Sequence, residues 1–196
     1  MKPRIILGSR SPARQEILRD MGYEFEVMSA DIDEKAIRHQ NPVDLTMKIA
    51  RAKAVALLAA TVNQATLLIT ADKVVFMMDR ICEKPETPDE AKLFLSALPI
   101  SPVLFVTSVI VTNLESGFSA HGTDVASVLF RTISQGEIDE LIAQGDVMNH
   151  AGAVDVSNQI VDRHVRAFIG EVESVRGFPK AMVNRLIPEA MNGGFP

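Results

Sequence analysis

Apolar positions along this chain fall into two spacings. Short runs of adjacent or alternating apolar residues read as strands, and longer stretches with apolar residues three and four apart read as helices. Residues 4–7 form a short buried run closed by Gly8. Ser11-Pro12 then supplies a cap and a first-turn proline, and Ile17, Leu18 and Met21 share one face, so a helix runs from there to Gly22. Residues 24–28 alternate, with Phe25 and Val27 on one side, and predict a strand followed by an acidic loop, Asp31-Ile32-Asp33-Glu34. A long helix is expected over 44–60, with Leu45, Ile49, Ala52 and Ala56 along its apolar face. Residues 67–76 are mostly apolar and rich in β-branched side chains, as a buried strand should be. A helix is expected over 88–98, then strands over 103–112 and 125–130 joined by a hairpin near Ser116-Gly117. Residues 134–143 predict a helix opened by a Ser134 cap with Glu137 in the capping-box position. Strands over 151–156 and 165–172 follow, and a last helix over 179–191 with Met182, Leu186 and Ala190 along one face.

Strands and helices therefore interleave, with one strand-strand stretch between 103 and 130. That order predicts an α/β fold, a mixed β-sheet flanked by helices. Residues 1–192 read as a single domain and 193–196 as a frayed tail. A boundary near the middle would divide two lobes, but no composition shift locates it.

Composition narrows the function. With 196 residues and 47% hydrophobic content, the chain is long enough for one full core or two lobes sharing a cleft. A formal net charge of −5 leaves no basic field for a nucleic-acid backbone, so nucleic acid is not an expected partner. An acidic protein that binds a polyanion must concentrate its cations locally or recruit a metal ion. Cys82 is the single cysteine, which rules out an intramolecular disulfide and a cysteine-rich zinc site. Met1-Lys2-Pro3-Arg4 leads into too short an apolar run for a signal peptide, and no run approaches the roughly 18 apolar residues of a spanning helix. The expectation is a cytoplasmic protein with no membrane partner.

The common catalytic templates are missing: no phosphate loop of the G-x-x-x-x-G-K-[ST] type, no G-x-G-x-x-G, no H-E-x-x-H and no G-x-S-x-G. His39, His121, His150 and His164 are scattered without metal-ligand spacing. Leu7 to Arg14 is more informative. It is a strand, a small polar loop and a helix N-terminus, where backbone N–H groups and the helix dipole favour an anion. Arg14 sits in the first helical turn, an unfavourable place for a cation unless a phosphate lies between it and the helix end. Ser9 offers a hydroxyl to the same anion. The alternative is a capped surface helix with a solvated arginine. Lys53 falls in line with Ile49 and Leu57, either as a lysine whose ammonium reaches a cleft or as one snorkelling at the edge of the stripe. Asp72 lies inside a buried strand, where a carboxylate needs a cation, a metal or an open strand end. Lys73 points to the opposite face and is a poor partner for it. Asp72 is thus a candidate general base or metal ligand, or else part of a structural hydrogen-bond network. Asp31, Asp33 and Glu34 could hold magnesium or form a solvated acidic loop. Glu83-Lys84-Pro85 is extended, since the residue before proline avoids the helical region.

Taken together these segments resemble the Maf-like proteins. The motifs are Ser9-Arg10-Ser11-Pro12-Ala13-Arg14, Asp33-Glu34, Ala50-Arg51-Ala52-Lys53-Ala54, Ala71-Asp72-Lys73-Val74-Val75 and Glu83-Lys84-Pro85. Ala151-Gly152 and Gly177-Phe178-Pro179-Lys180 look like two later signatures of that family. The resemblance implies two lobes around a nucleotide-binding cleft, similar in fold to inosine triphosphate pyrophosphatases. It implies hydrolysis of a nucleoside triphosphate to monophosphate and pyrophosphate with a divalent metal, Mg²⁺ or Mn²⁺, and a homodimer. By position, Asp72 matches the family's proton acceptor and Glu34 an acidic metal-binding position, with Asp72 a second metal ligand. Ser9, Arg14, Lys53 and Lys84 match phosphate contacts. Three positions tied to substrate specificity depart from the pattern. Ala13 stands where arginine is usual, Lys73 where threonine or glutamine is usual, and Ser157 where glutamine or glutamate selects the base. The family's S-G-R-x-H segment is replaced by Ser96-Ala97-Leu98-Pro99-Ile100-Ser101. The phosphate-handling set is retained while the base-reading set is altered, so catalysis is expected to persist, whereas substrate identity does not carry over from any subgroup; clearance of non-canonical or modified nucleotides is one expected role. A reading from another class is a nucleotide-binding regulator of septation without turnover.

Overall fold

The structure, a computed structural model, describes residues 3–58 and 67–193. The end of the predicted long helix, residues 59 and 60, and the tail residues 194–196 lie outside the described residues. Among the described residues there are seven strands: β1 (Ile5–Leu7), β2 (Phe25–Val27), β3 (Leu67–Met77), β4 (Arg80–Cys82), β5 (Val103–Asn113), β6 (Ser119–Phe130) and β7 (Val165–Ile169). The helices are α1 (Pro12–Asp20), α2 (Pro42–Leu58), α3 (Pro88–Ala97), α4 (Gln135–Gln144), α5 (Gln159–Arg163), α6 (Val172–Val175) and α7 (Lys180–Met191). The sheet order is β2-β1-β3-β5-β6-β7, with β4 paired to β3. β1 runs parallel to β2 and β3, whereas β4 is antiparallel to β3 and β7 to β6. This is the mixed sheet that the order of elements predicts.

The chain divides into two compact units. Residues 1–73, 106–124 and 171–196 form the first, and residues 74–105 and 125–170 form the second. The boundary is therefore not a single point near the middle of the sequence. Strand β3 leaves the first unit after Lys73, so Asp72 and Lys73 are its last residues there.

In the first unit the strand alternation sorts side chains onto two faces. Ile5, Leu7, Leu67, Ile69 and Ala71 pack with Ile17 and Leu18 of α1 and with Val183, Leu186 and Ile187 of α7. Ile6 and Leu68 pack on the other side with Leu57 of α2. Helix α1 begins where Ser11 places it, the serine hydroxyl accepting from the Arg14 N–H. Helix α2 starts two residues earlier than its apolar stripe suggests. Asn41 Oδ1 accepts from the N–H groups of Val43 and Asp44, and Pro42 suits the first turn. In the second unit α3 packs against α4 and against the 3-10 turn Ala151–Ala153. The predicted capping box at α4 is formed, Ser134 and Glu137 exchanging both hydrogen bonds.

Three local expectations need correction, and two elements lie outside them. Residues 151–156 are not a strand: Gly152 at φ 64° and Ala153 at φ 58° turn the chain, and the Gly152 N–H bonds to the Glu83 carbonyl. The strand expected over 165–172 stops at Ile169, because Gly170 at φ 112° breaks it and Val172–Val175 is helical. The acidic loop contains a 3-10 turn, Glu34–Ala36, capped by Asp33. Strand β4 and helix α5 were not anticipated. β4 returns through Met78-Asp79, both at positive φ, a two-residue hairpin turn without its usual glycine.

Candidate active site

β1 and β3 are parallel neighbours, and loops leaving such strands are where α/β proteins gather polar groups. Gly8 makes the close approach possible. Its N–H bonds to the Ile69 carbonyl at 2.7 Å, and a Cβ at this position would lie 2.7 Å from Leu57 Cδ1 and 2.8 Å from Thr70 Cγ2. Any side chain there would push β1, β3 and α2 apart. The loop after Gly8 carries Ser9 into α1, whose first turn presents Arg14.

Arg14 is 8% exposed. Its Nε donates to the Gly177 carbonyl at 2.9 Å, and its Nη1 donates to the Ala71 carbonyl at 2.9 Å and to Ser9 Oγ at 3.1 Å. Among the described residues, Nη2 makes no hydrogen bond. The solvated arginine of the alternative reading is thus absent: the guanidinium plane is bolted in place with one corner left to an outside acceptor. Burial lowers the affinity of this guanidinium for its proton, and the charges of Asp72 and Glu34 oppose that effect.

Helix α2 brings Lys53 to Asp72. Thr70 Oγ1 donates to the Ala50 carbonyl at 2.9 Å, one turn before Lys53, and so pins α2 to β3. Lys53 is 8% exposed and is not a snorkelling surface lysine. Its Nζ lies 3.0 Å from Asp72 Oδ1 and 2.9 Å from Glu34 Oε2. One ammonium therefore bridges a buried carboxylate and a half-exposed one. Asp72 is 7% exposed, and burial pushes its carboxyl above the usual aspartate range. The attraction of Lys53 and Arg14 works against that rise without cancelling it. A carboxyl in this state takes up a proton more readily than an exposed aspartate, which suits a base working near neutrality.

The neighbouring acids divide by role. Asp33 Oδ1 accepts from the N–H groups of Lys35 and Ala36, so it caps its turn and aims Glu34 at Lys53. Lys73 faces the other way, as strand alternation requires, and its Nζ donates to the Val175 carbonyl at 2.9 Å. Ala13, half-buried, precedes Arg14 on α1. The first unit thus gathers Ser9 with Arg14, and Lys53 with Glu34 and Asp72. Lys84 and Ser157 belong to the second unit. Lys84 is exposed on the extended segment after β4, and Ser157 donates its hydroxyl to Asp155 Oδ1 at 2.6 Å. Two residues that matter to the site escape a reading by residue type. Gly8 is marked only as a glycine closing a buried run, and Gly177 only as part of a short signature near the C-terminus.

Among the described residues no group of three or more histidine, cysteine, aspartate or glutamate side chains gathers as a metal cage. Two carboxylates around one cation position are what Asp72, Glu34 and the Lys53 ammonium show. That donor set fits a magnesium-like ion, which takes one or two carboxylates and completes its shell with phosphate and water oxygens.

Comparison of the sequence with known proteins gives the following matches. The chain is 42% identical over 195 residues to the 7-methyl-GTP pyrophosphatase of Dictyostelium discoideum, covering 94% of this chain and 96% of that one. It is 33% identical over 189 residues to the dTTP/UTP pyrophosphatase of Aquifex aeolicus, covering 95% of each chain. The dTTP/UTP pyrophosphatase of Anaeromyxobacter dehalogenans is 30% identical over 198 residues, covering 100% of this chain and 97% of the other. A solved dITP/XTP pyrophosphatase from Mycobacterium abscessus aligns with a TM-score of 0.39 and 13% identity, over 74% of this chain and 96% of its own. The family model described as Maf-like protein matches residues 4–190, and the chain belongs to that family.

Proposed function

We propose that this protein is a nucleotide pyrophosphatase that hydrolyses a nucleoside triphosphate to the monophosphate and pyrophosphate. The observation that carries the reading is the geometry at Asp72: a carboxyl only 7% exposed, bridged through Lys53 to Glu34. A site that only binds nucleotide needs no such base. Water attacks the α-phosphorus, Asp72 accepts its proton, and the bond from that phosphorus to the oxygen bridging to the β-phosphate breaks. Ser9, Arg14 and Lys53 are the phosphate contacts of the first unit, offsetting charge on the phosphate oxygens as the transition state forms. Asp72 and Glu34 are the residues that would hold a divalent metal, Mg²⁺ or Mn²⁺. When bound, such an ion neutralises phosphate charge and promotes departure of pyrophosphate.

The substrate is proposed to be a modified nucleotide. A relative 42% identical is named for 7-methyl-GTP, a modified guanine nucleotide, while the dTTP/UTP pyrophosphatases of Aquifex aeolicus and Anaeromyxobacter dehalogenans are 33% and 30% identical. Ala13 and Ser157 depart from the pattern at positions tied to base choice, which agrees with a substrate preference of its own. The test is a chromatographic and pyrophosphate assay over 7-methyl-GTP, dTTP, UTP and the common triphosphates, with and without Mg²⁺ or Mn²⁺. Metal-dependent release of monophosphate and pyrophosphate is expected, with Asp72→Asn slower by about 1,000-fold. Tight nucleotide binding without turnover across the panel would instead make the protein a nucleotide-binding regulator.

A further inference from the structure

Residues 172–179 supply no side chain to the proposed chemistry, yet side chains from three other elements grip their backbone. The Ser174 carbonyl accepts from Thr107 Oγ1 at 3.3 Å, the Val175 carbonyl from Lys73 Nζ at 2.9 Å, and the Gly177 carbonyl from Arg14 Nε at 2.9 Å. The shape of the segment explains why its carbonyls are available. Helix α6 ends at Val175, and beyond its cap Arg176 the chain turns at Gly177, φ 84°, where the Gly177 N–H bonds to the Ser174 carbonyl and the Phe178 N–H to the Glu173 carbonyl, both at 2.9 Å. These are the paired bonds of a Schellman turn, which needs a left-handed residue and points the chain sharply away from the helix axis. Phe178 then buries its ring fully in the core shared by β1, β3, α1 and α7. The turn sits against both cations. A Cβ on Gly177 would lie 3.1 Å from Lys73 Cδ and 3.6 Å from Arg14 Nη2.

We propose that Lys73 is a positioning residue for Arg14: it ties down the Val175 carbonyl, and so holds the Gly177 carbonyl that orients the Arg14 guanidinium. A guanidinium recognises phosphate by the direction of its in-plane N–H groups, so its value depends on where its plane points. The Ala71 and Gly177 carbonyls anchor that plane at two separate nitrogens, Nη1 and Nε. Lys73 belongs to the Gly177 anchor. Without its ammonium, the Val175 carbonyl, two residues before Gly177, loses its side-chain donor, the turn at residues 175–177 loosens, and the plane gains freedom about its remaining anchor. Lys73 therefore acts on the triphosphate common to all substrates rather than on the base, although its position in the motif is one tied to base choice.

The inference rests on the reading of Arg14 as a phosphate contact, and the test separates the two. Binding of inorganic tripolyphosphate, which has no base, is measured by calorimetry on wild type, Lys73→Met, Lys73→Arg and Arg14→Gln. Steady-state kcat and KM are measured on 7-methyl-GTP, dTTP and UTP. Lys73→Met should weaken tripolyphosphate binding and lower kcat/KM by about 10-fold or more, by one common factor for every nucleotide, because small displacements of a positioning group have effects of this size. Lys73→Arg, which keeps a donor for the Val175 carbonyl, should recover most of the loss. A change in base ranking with unaltered tripolyphosphate binding would overturn the proposal, since Lys73 would then read the base. Equal tripolyphosphate binding by wild type and Arg14→Gln would also overturn it, because Arg14 would not contact phosphate. Wild type that binds tripolyphosphate but turns over none of the nucleotides would defeat the pyrophosphatase reading alone, and the binding comparison would still decide the role of Lys73.

Discussion

Two carboxylates in this chain are each surrounded by donors, with opposite results. In the first unit Asp72 is buried beside Lys53, and burial still holds its carboxyl above the ordinary range. In the second unit Glu137 accepts from the Ser134 hydroxyl, the His164 ring, the Ser134 N–H and the Arg163 guanidinium, and these bonds, in that order of weight, push its carboxyl well below the ordinary range. Glu137 is satisfied: its charge is wanted where it sits, at the start of α4, tied to the end of α5. Asp72 is not. Its desolvation exceeds what one shared ammonium returns, which leaves a base ready to accept a proton. Partner number alone does not separate the proposed base from a structural clasp; the balance of burial against donors is what differs between them.

Replacing Asp72 by asparagine should sharpen this contrast most. Beyond the loss of turnover, the fold should be as stable as wild type or more so at neutral pH. The sign follows from linkage. A carboxyl raised in the folded state binds more protons there than in the unfolded chain, so its contribution to stability falls as pH rises from the unfolded value, about 4, through the raised one. Removing the charge removes that penalty, and each kcal/mol recovered raises the melting temperature by about 2–4 °C for a chain of this size. A mutant that melts well below wild type would show that Asp72 is structural.

Lys53→Met comes next. It leaves Asp72 and Glu34 facing each other without the bridging ammonium, so the Asp72 carboxyl should rise further and the acid limb of kcat/KM should move to higher pH. A fall in kcat/KM of about 100-fold accompanies it, the size seen when one charge-stabilising donor is lost. An acid limb that stays in place would break the assignment of that limb to Asp72.

Glu137→Gln should affect stability without touching the site. A lowered carboxyl contributes stability that is present above the ordinary glutamate value and is lost as pH falls toward the lowered one. The mutant should therefore melt slightly earlier at neutral pH, the exposed pairs being screened by solvent, and depend less on pH in the acid range than wild type, with kcat unchanged. The smallest effect is expected at Ser174, whose hydroxyl is fully buried without a partner among the described residues. Ser174→Ala should leave stability unchanged or raise it by up to about 1 kcal/mol in urea titration, since a buried unpaired hydroxyl carries only a desolvation cost.

Much of this was legible along the chain. Ser11-Pro12 started α1, the apolar run at 67–76 marked β3, and the Ser134–Glu137 pair formed its capping box, because each is decided by residues within a turn of one another. The elements that escaped lacked a local signal. Met78-Asp79 adopts a hairpin turn with neither glycine nor asparagine, and Ala151-Gly152-Ala153 is apolar enough for a strand but bends to bond Glu83. The orientation of Lys73 away from Asp72 followed from strand alternation; its partner at Val175, 102 residues on, did not.

The sequence by itself determined the period of each element, the caps, the motifs of the family and which residues were chemically able to serve as base, cation and metal ligand. Only the tertiary structure decided their states. Lys53 joins two carboxylates because α2 docks on β3 through Thr70, and Arg14 has its plane set by a carbonyl 163 residues away. Proton affinity and guanidinium direction depend on burial and on distant backbone oxygens, and neither exists until the chain has closed on itself.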